Sequence, residues 1–207
     1  MRYSRKDELT AQVSQLPVHD FTALLQRLSE QMADMLDAMS LLSHTSLREF
    51  LGTLLEVLGT KISRILSADR GTVFLLDAPN QELWSLTSVG GDGQPVEIRI
   101  SVGKGIAGRV AATGLPMIVP DAYAEPAFHR EVDQRTGYRT RNILCMPLLG
   151  RAGNVLAVVQ LINKAHNAGF DSADQKHFHE LAEHLSPLME TWITLHQRSA
   201  EEVPLVI

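Results

Sequence analysis

The sequence predicts an α/β (α+β) fold: a central antiparallel sheet of about six strands with N- and C-terminal helices packed on one face. Three observations lead there. Apolar residues recur at helical spacing near both ends of the chain, and strand-like runs punctuated by turn residues fill the middle. One of those runs, 96–101, alternates Val96, Ile98 and Ile100 with Glu97, Arg99 and Ser101, as a half-buried antiparallel strand does.

Residues 1–20, MRYSRKDELTAQVSQLPVHD, are polar, lack a signal-peptide core and read as partly disordered. Next, Phe21, Leu25, Leu28, Met32, Met35, Met39 and Leu42 follow steps of four and three. That is the seam of a coiled coil or bundle. It extends upstream of the expected core, which predicts a dimerisation or signalling helix over 21–45. A second helix is predicted over 47–66, with Leu47, Phe50, Leu51, Leu54, Leu58, Ile62 and Ile65 on its apolar face.

A hairpin follows: GTVFLLD (71–77), a turn at Ala78-Pro79-Asn80, and ELWSLTSV (82–89). Gly90, Gly91 and Gly93 mark a turn before the strand at 96–101. A short helix over 106–113 and a small strand over 117–119 come next. The strand 143–149, a turn at 151–154 and the strand 155–162 close the sheet. The last helix starts near Ser172, the expected N-cap, with Asp174 in its first turn. Phe178, Leu181, Leu185, Leu188, Trp192 and Leu195 form its apolar stripe, and Pro187 is expected to kink it. The principal domain therefore covers 47–197. Residues 198–207 read as a tail or the start of a linker to an output domain outside this sequence, since the chain ends at EEVPLVI directly after a helix.

The 207 residues suffice for one domain with a sizeable core plus extra helices. A net charge of −5 gives no basic surface for nucleic acid. The single cysteine excludes an internal disulfide framework and fits a reducing, cytoplasmic compartment. No apolar run approaches the roughly 20 residues of a membrane-spanning helix.

The polar run 121–140 holds Asp133, Thr136 and Thr140 at spacings able to converge on a small polar ligand, without the partners that would make it react. The pattern suggests a pocket that senses. Gly103-Lys104-Gly105-Ile106-Ala107-Gly108 matches G-x-G-x-x-G, but the strand before it has a wet face and the helix after it is short, so the glycines serve a tight turn and a close backbone approach. His177 and His184 are about 10 Å apart along one helix, too far for a shared metal, and His179 points elsewhere, so no metal site is expected. Cys145 sits among apolar residues as an inert small hydrophobe. No nucleophile–base constellation or phosphate loop appears, and any catalytic domain is expected outside this chain. Lys164 at the end of the last strand and Asp174 at the start of the last helix are placed to staple the loop between them and so shape a site without touching a ligand.

TVFLLD (72–77), GKGIAGRVAATG (103–114), the stretch 118–148 and LINKAHNAGFDSADQ (161–175) together resemble a GAF domain, specifically the cyclic-nucleotide-binding kind found in phosphodiesterases and cyanobacterial adenylyl cyclases. The resemblance spans 47–195. The family's NKFDE signature appears as Asn163, Lys164, Phe170 and Asp174, with Gln175 in place of the final glutamate. By resemblance, Thr72 and Ser88 floor a nucleotide pocket, and Ile106 and Ala107 approach purine and phosphate. His129 stacks or packs on the base, and Asp133 accepts from base nitrogens or from a ribose or amide neighbour. Thr136 and Thr140 donate to ribose or phosphate, and Gln160 stands where some members carry an acidic residue. The resemblance implies a regulatory sensor for cAMP or cGMP, with no further cofactor, acting as a homodimer through helices 21–45 and 173–197. The alternative it leaves is a dimerisation or interaction module with a vestigial pocket or another small-molecule ligand.

Overall fold

The computed structural model describes residues 5–35, 44–87 and 96–201. The apolar stripe expected over 47–66 becomes helix α3 (His44–Ile65), whose Leu51, Leu55, Leu58 and Ile62 are buried. Before it come α1 (Arg5–Gln15) and α2 (Val18–Met35). After it run β1 (Ala68–Asp77), β2 (Glu82–Thr87), β3 (Val96–Ser101), α4 (Gly105–Thr113), β4 (Met117–Val119), α5 (Arg130–Thr136), β5 (Ile143–Leu149), β6 (Val155–Lys164), a 3-10 turn and α6 (Ser172–Glu201). The strands form one six-stranded sheet in the order β3-β2-β1-β6-β5-β4, with every neighbouring pair antiparallel.

Strand alternation sorts the core into two layers. Val73, Leu75, Trp84, Leu144, Met146, Val159 and Leu161 face the long helices, meeting Leu55 and Ile62 of α3 and Phe178, Leu185 and Trp192 of α6. Phe74, Leu83, Ile143, Cys145 and Val158 face the other way and meet Ile106, Ala107 and Val110 of α4 with Ala122 and Ala127 of the segment after β4. The terminal helices thus share one face, as expected, and the short elements cover the second.

The N-terminus departs from the expectation of partial disorder. Residues 5–15 form α1, which packs on α3, and α3 supplies partners for C-terminal carbonyls left unpaired within α1. Lys61, only 4% exposed, donates to the Ser14 carbonyl at 3.2 Å and to that of Leu16, while Arg64 donates to Ser14 Oγ. The Lys61 ammonium also lies 5.6 Å from the Phe21 ring centre. Lys61→Ala is expected to cost about 2–3 kcal/mol in urea denaturation, because it strands buried carbonyls without a donor. A loss no larger than that of an ordinary surface substitution would show the contact to be dispensable.

The heptad seam also begins differently from expectation. Phe21 and Leu25 are each 1% exposed and belong to the domain's own core. Burying such side chains is worth roughly 1.5–3 kcal/mol each, so the start of the seam is committed to intramolecular packing. The side chains of Met32 and Met35, and residues Met39 and Leu42, lie outside what is described.

At one point α3 meets the sheet with no side chain between. A Cβ built on Gly59 would lie 2.4 Å from the Gly71 carbonyl oxygen, and one built on Gly71 would lie 2.4 Å from that of Gly59. At the other end of the fold, the cap of α6 is Asp171 rather than Ser172. Its carboxylate accepts from Ala173 N at 2.9 Å and Asp174 N at 3.0 Å, and its carbonyl accepts from Gln175 N. A carboxylate one residue earlier reaches both free N–H groups, which a hydroxyl already inside the first turn cannot do. The helix continues through Pro187 to Glu201.

Candidate functional site

Thr72 and Gln160, two of the residues expected at a ligand site, lie on the second face of the sheet, which forms a floor beneath the short elements. Register pairs Thr72 of β1 with Gln160 of β6, and Gln160 with Cys145 of β5. All three share the parity of Phe74, Val158 and Ile143, so they face the short elements. Thr72 and Gln160 are half-buried, whereas Cys145 is fully buried. Directly paired residues have Cβ atoms about 4.5–5.5 Å apart, so a hydroxyl and an amide stand side by side in a largely apolar layer. Ser85 of β2, 2% exposed, shares this face through the parity of Leu83 and was not anticipated. Ser88 lies outside the described residues.

Above this floor starts α4. Gly103 and Gly105 have φ of +86° and +64°, values that glycine adopts freely. The G-x-G-x-x-G match is therefore a turn, and the wholly antiparallel sheet removes the dinucleotide reading. The N-cap Lys104 makes no side-chain capping bond to the first turn, where Ile106 and Ala107 sit with their side chains buried. His129 is the N-cap of α5 and exposed, and its ring lies over Gly105, with Cδ2 3.2 Å from the position of a Cβ there. The structure therefore brings His129 to the start of α4.

The segment between β4 and β5 closes on itself. Ala122 N donates to the Arg141 carbonyl at 2.7 Å, forming a neck. Inside the loop, Asp133 is 5% exposed and Thr140 3%. Asp133 Oδ2 accepts from Thr140 N at 2.7 Å and from the Tyr123 hydroxyl at 3.1 Å, while Oδ1 accepts from Thr140 Oγ1 at 2.8 Å. Asp133 and Thr140, expected to converge on a ligand, meet each other. Thr136 ends α5, and its side chain lies outside what is described. Arg139 stacks on Tyr123 at 3.7 Å from ring centre, and Arg130 lies at 5.1 Å.

Asn163 joins this loop to the frame. It is 1% exposed and has φ of +59°, a left-handed conformation that asparagine tolerates better than most residues. Its Oδ1 accepts from Arg141 N at 2.7 Å, and its Nδ2 donates to the Arg139 carbonyl at 2.9 Å and the Tyr138 hydroxyl at 2.8 Å. Tyr138 in turn donates to Asp69 Oδ2 at 3.0 Å, and burial, then the Asp69 carboxylate, pushes its phenol above the ordinary range. Lys164, the next residue, pairs with Asp174 of α6 and donates to the Leu66 carbonyl at 2.9 Å, just past α3. Phe170, 6% exposed, covers the pair, its ring centre 5.8 Å from the Lys164 ammonium. Asn142 completes the junction through Lys164 N at 2.9 Å and the Ala168 carbonyl at 3.1 Å.

Residues 50–187 match the GAF domain family. The chain belongs to that family. Among curated relatives of this GAF domain, the dual 3',5'-cyclic-AMP and -GMP phosphodiesterase 11 of Drosophila melanogaster is 38% identical over 131 residues, covering 56% of this chain and 9% of the relative. A probable 3',5'-cyclic phosphodiesterase, pde-5, of Caenorhabditis elegans is 41% identical over 125 residues, covering 56% of this chain and 17% of the relative. The chain thus spans a small part of either. Solved GAF domains share the fold. The one from a Coxiella burnetii phosphoenolpyruvate-protein phosphotransferase superposes with a TM-score of 0.55 at 19% identity, over 88% of this chain and 99% of that one. Its Acinetobacter counterpart gives 0.54 at 15% identity, over 87% and 98%.

Elsewhere in the GAF domain, His177, His179 and His184 are exposed, and the described residues contain no metal-ligating cluster. Burial pushes the Cys145 thiol far above its ordinary range, so it stays a protonated core residue. An open groove of about 880 Å³ lies between β5 and α6, bordered by Pro147, Leu149, Lys176, His179 and Pro187. Sequence reasoning missed Tyr123, Tyr138, Asn142 and Asp69. The run 136–142, TGYRTRN, was the one local signal, and it drew attention to Thr140 rather than to Tyr138 two residues before it. No helix among the described residues is long and apolar enough to cross a membrane.

Proposed function

We propose that this GAF domain is a regulatory sensor that binds a cyclic nucleotide, cAMP or cGMP, against the second face of its sheet and performs no catalysis itself. The nucleotide class is supported by the two relatives named as cyclic-nucleotide phosphodiesterases. The observation that carries the placement is the half-buried Thr72–Gln160 pair on the face covered by the start of α4 and the 122–141 loop. The first-turn N–H groups of α4 suit a singly charged cyclic phosphate. The Gln160 amide both donates and accepts, so it suits the edge of a purine. Binding there presses on the loop, and Asn163 and Lys164 hand the change to the ends of α3 and α6.

The homodimer expected through the terminal helices belongs to the same proposal, and a monomer throughout sedimentation analysis would overturn that part. For the sensor itself, calorimetry with cAMP and with cGMP is expected to give at least one micromolar complex, about −8 kcal/mol. Gln160→Ala should weaken it by about tenfold or more, the worth of one well-placed hydrogen bond. No heat or competition from either nucleotide at about 100 µM, a rough ceiling for a physiological sensor, would reject the reading.

A further inference from the structure

We propose that Asp133 is a positioning residue of the loop and not a reader of the nucleotide, which leaves discrimination between bases to Gln160. This rests on the sensor reading for its binding arm only. The Asp133 carboxylate is buried and already accepts three hydrogen bonds, two on Oδ2 and one on Oδ1. A carboxylate offers about four acceptor sites, so little capacity is left for a base. The three donors come from the two ends of the loop: Tyr123 just inside its neck, and Thr140 N and Oγ1 at its far end. With Asp133 itself on α5, one side chain braces the start, middle and end of a loop whose backbone is closed once, by Ala122 and Arg141. The exposed Arg139, stacked on Tyr123, holds the same ring from outside.

The two roles predict opposite behaviour for Asp133→Asn. An asparagine can keep the brace: its amide oxygen accepts from Thr140 N and the Tyr123 hydroxyl, and its amide nitrogen donates to Thr140 Oγ1. A carboxylate that accepted protons from a base edge would instead be replaced by a group of mixed polarity, and preference between cAMP and cGMP would change. Asp133→Ala removes the brace in either case.

Amide exchange of the ligand-free protein is the first readout, and the ratio of cAMP to cGMP affinity is the second. For Asp133→Ala, exchange across 122–141 is expected to quicken by about tenfold or more, as buried donors lose their acceptor. Both affinities should fall together with their ratio unchanged. Thr140→Val should reproduce part of this, and Asp133→Asn should restore loop protection and both affinities to within a few-fold of the parent. A shift of more than about tenfold in the affinity ratio for Asp133→Asn would overturn the proposal. Unchanged exchange across the loop in Asp133→Ala would overturn it as well. If the parent protein binds neither nucleotide, the sensor reading fails while the exchange arm still decides whether Asp133 braces the loop.

Discussion

Replacing Lys164 by methionine is expected to lower the unfolding free energy by about 3–5 kcal/mol, a large share of the 5–15 kcal/mol typical of a domain. The magnitude follows from burial. The Lys164 and Asp174 side chains are 19% and 9% exposed, so this is not a surface pair worth under about 1 kcal/mol. Removing the ammonium leaves Asp174 buried without its countercharge and takes the Lys164 donor from the Leu66 carbonyl. Asp174→Leu should cost a similar amount. The double change Lys164→Met with Asp174→Leu should cost much less than the two singles added, because no lone charge remains. Chemical denaturation of the four proteins gives this cycle. Additive losses would mean that the two residues act separately and that the junction is not a staple.

The second large effect is expected where α3 touches β1. Helix propensity alone predicts that Gly59→Ala stabilises by roughly 1 kcal/mol. The contact predicts the reverse. The new Cβ would stand 2.4 Å from the Gly71 carbonyl oxygen, and a backbone atom in a central strand cannot swing aside as a side-chain tip can. Overpacking of this kind costs roughly 1–3 kcal/mol and sometimes more, which outweighs the propensity gain and leaves an expected net loss of about 1 kcal/mol. Gly71→Ala should be worse, since its Cβ also meets Leu161 Cδ2 at 2.9 Å. Thermal denaturation decides the sign, and a stabilised Gly59→Ala protein would show that the helix can lift from the sheet at little cost.

Local patterns made much of this architecture legible. The stripe of α3, the alternation of β3, the run of β5 and the glycines before α4 each carry their periodicity or conformation within a few residues. The Lys164–Asp174 staple was legible for a related reason, since both residues sit at element ends only ten positions apart. What stayed hidden depends on distant partners. Lys61 reads as a solvated cation on a helix and becomes the donor that holds α1, 45 to 47 residues away. Asp133 reads as a ligand-facing carboxylate in a polar loop, because the spacing to Tyr123 and Thr140 does not reveal that the loop folds back on its own neck. Phe21 and Leu25 show a heptad step that fits a partner helix or the domain's own core equally well, and only the docking of α2 beside α6 decides between them.

The two devices at the start of α6 have a mechanical consequence. Asp171 fixes the first turn by capping it, and Lys164 grips Asp174 within it, so this end of the helix is clamped. A clamped helix answers a push by tilting and not by fraying. Its 30 residues extend about 45 Å, so a tilt of about 5° at Lys164 carries the far end through about 4 Å. A tilt of that size, shared with the sheet on which Phe178, Leu185 and Trp192 are packed, would arrive at Glu201 as a displacement comparable to a side chain's width.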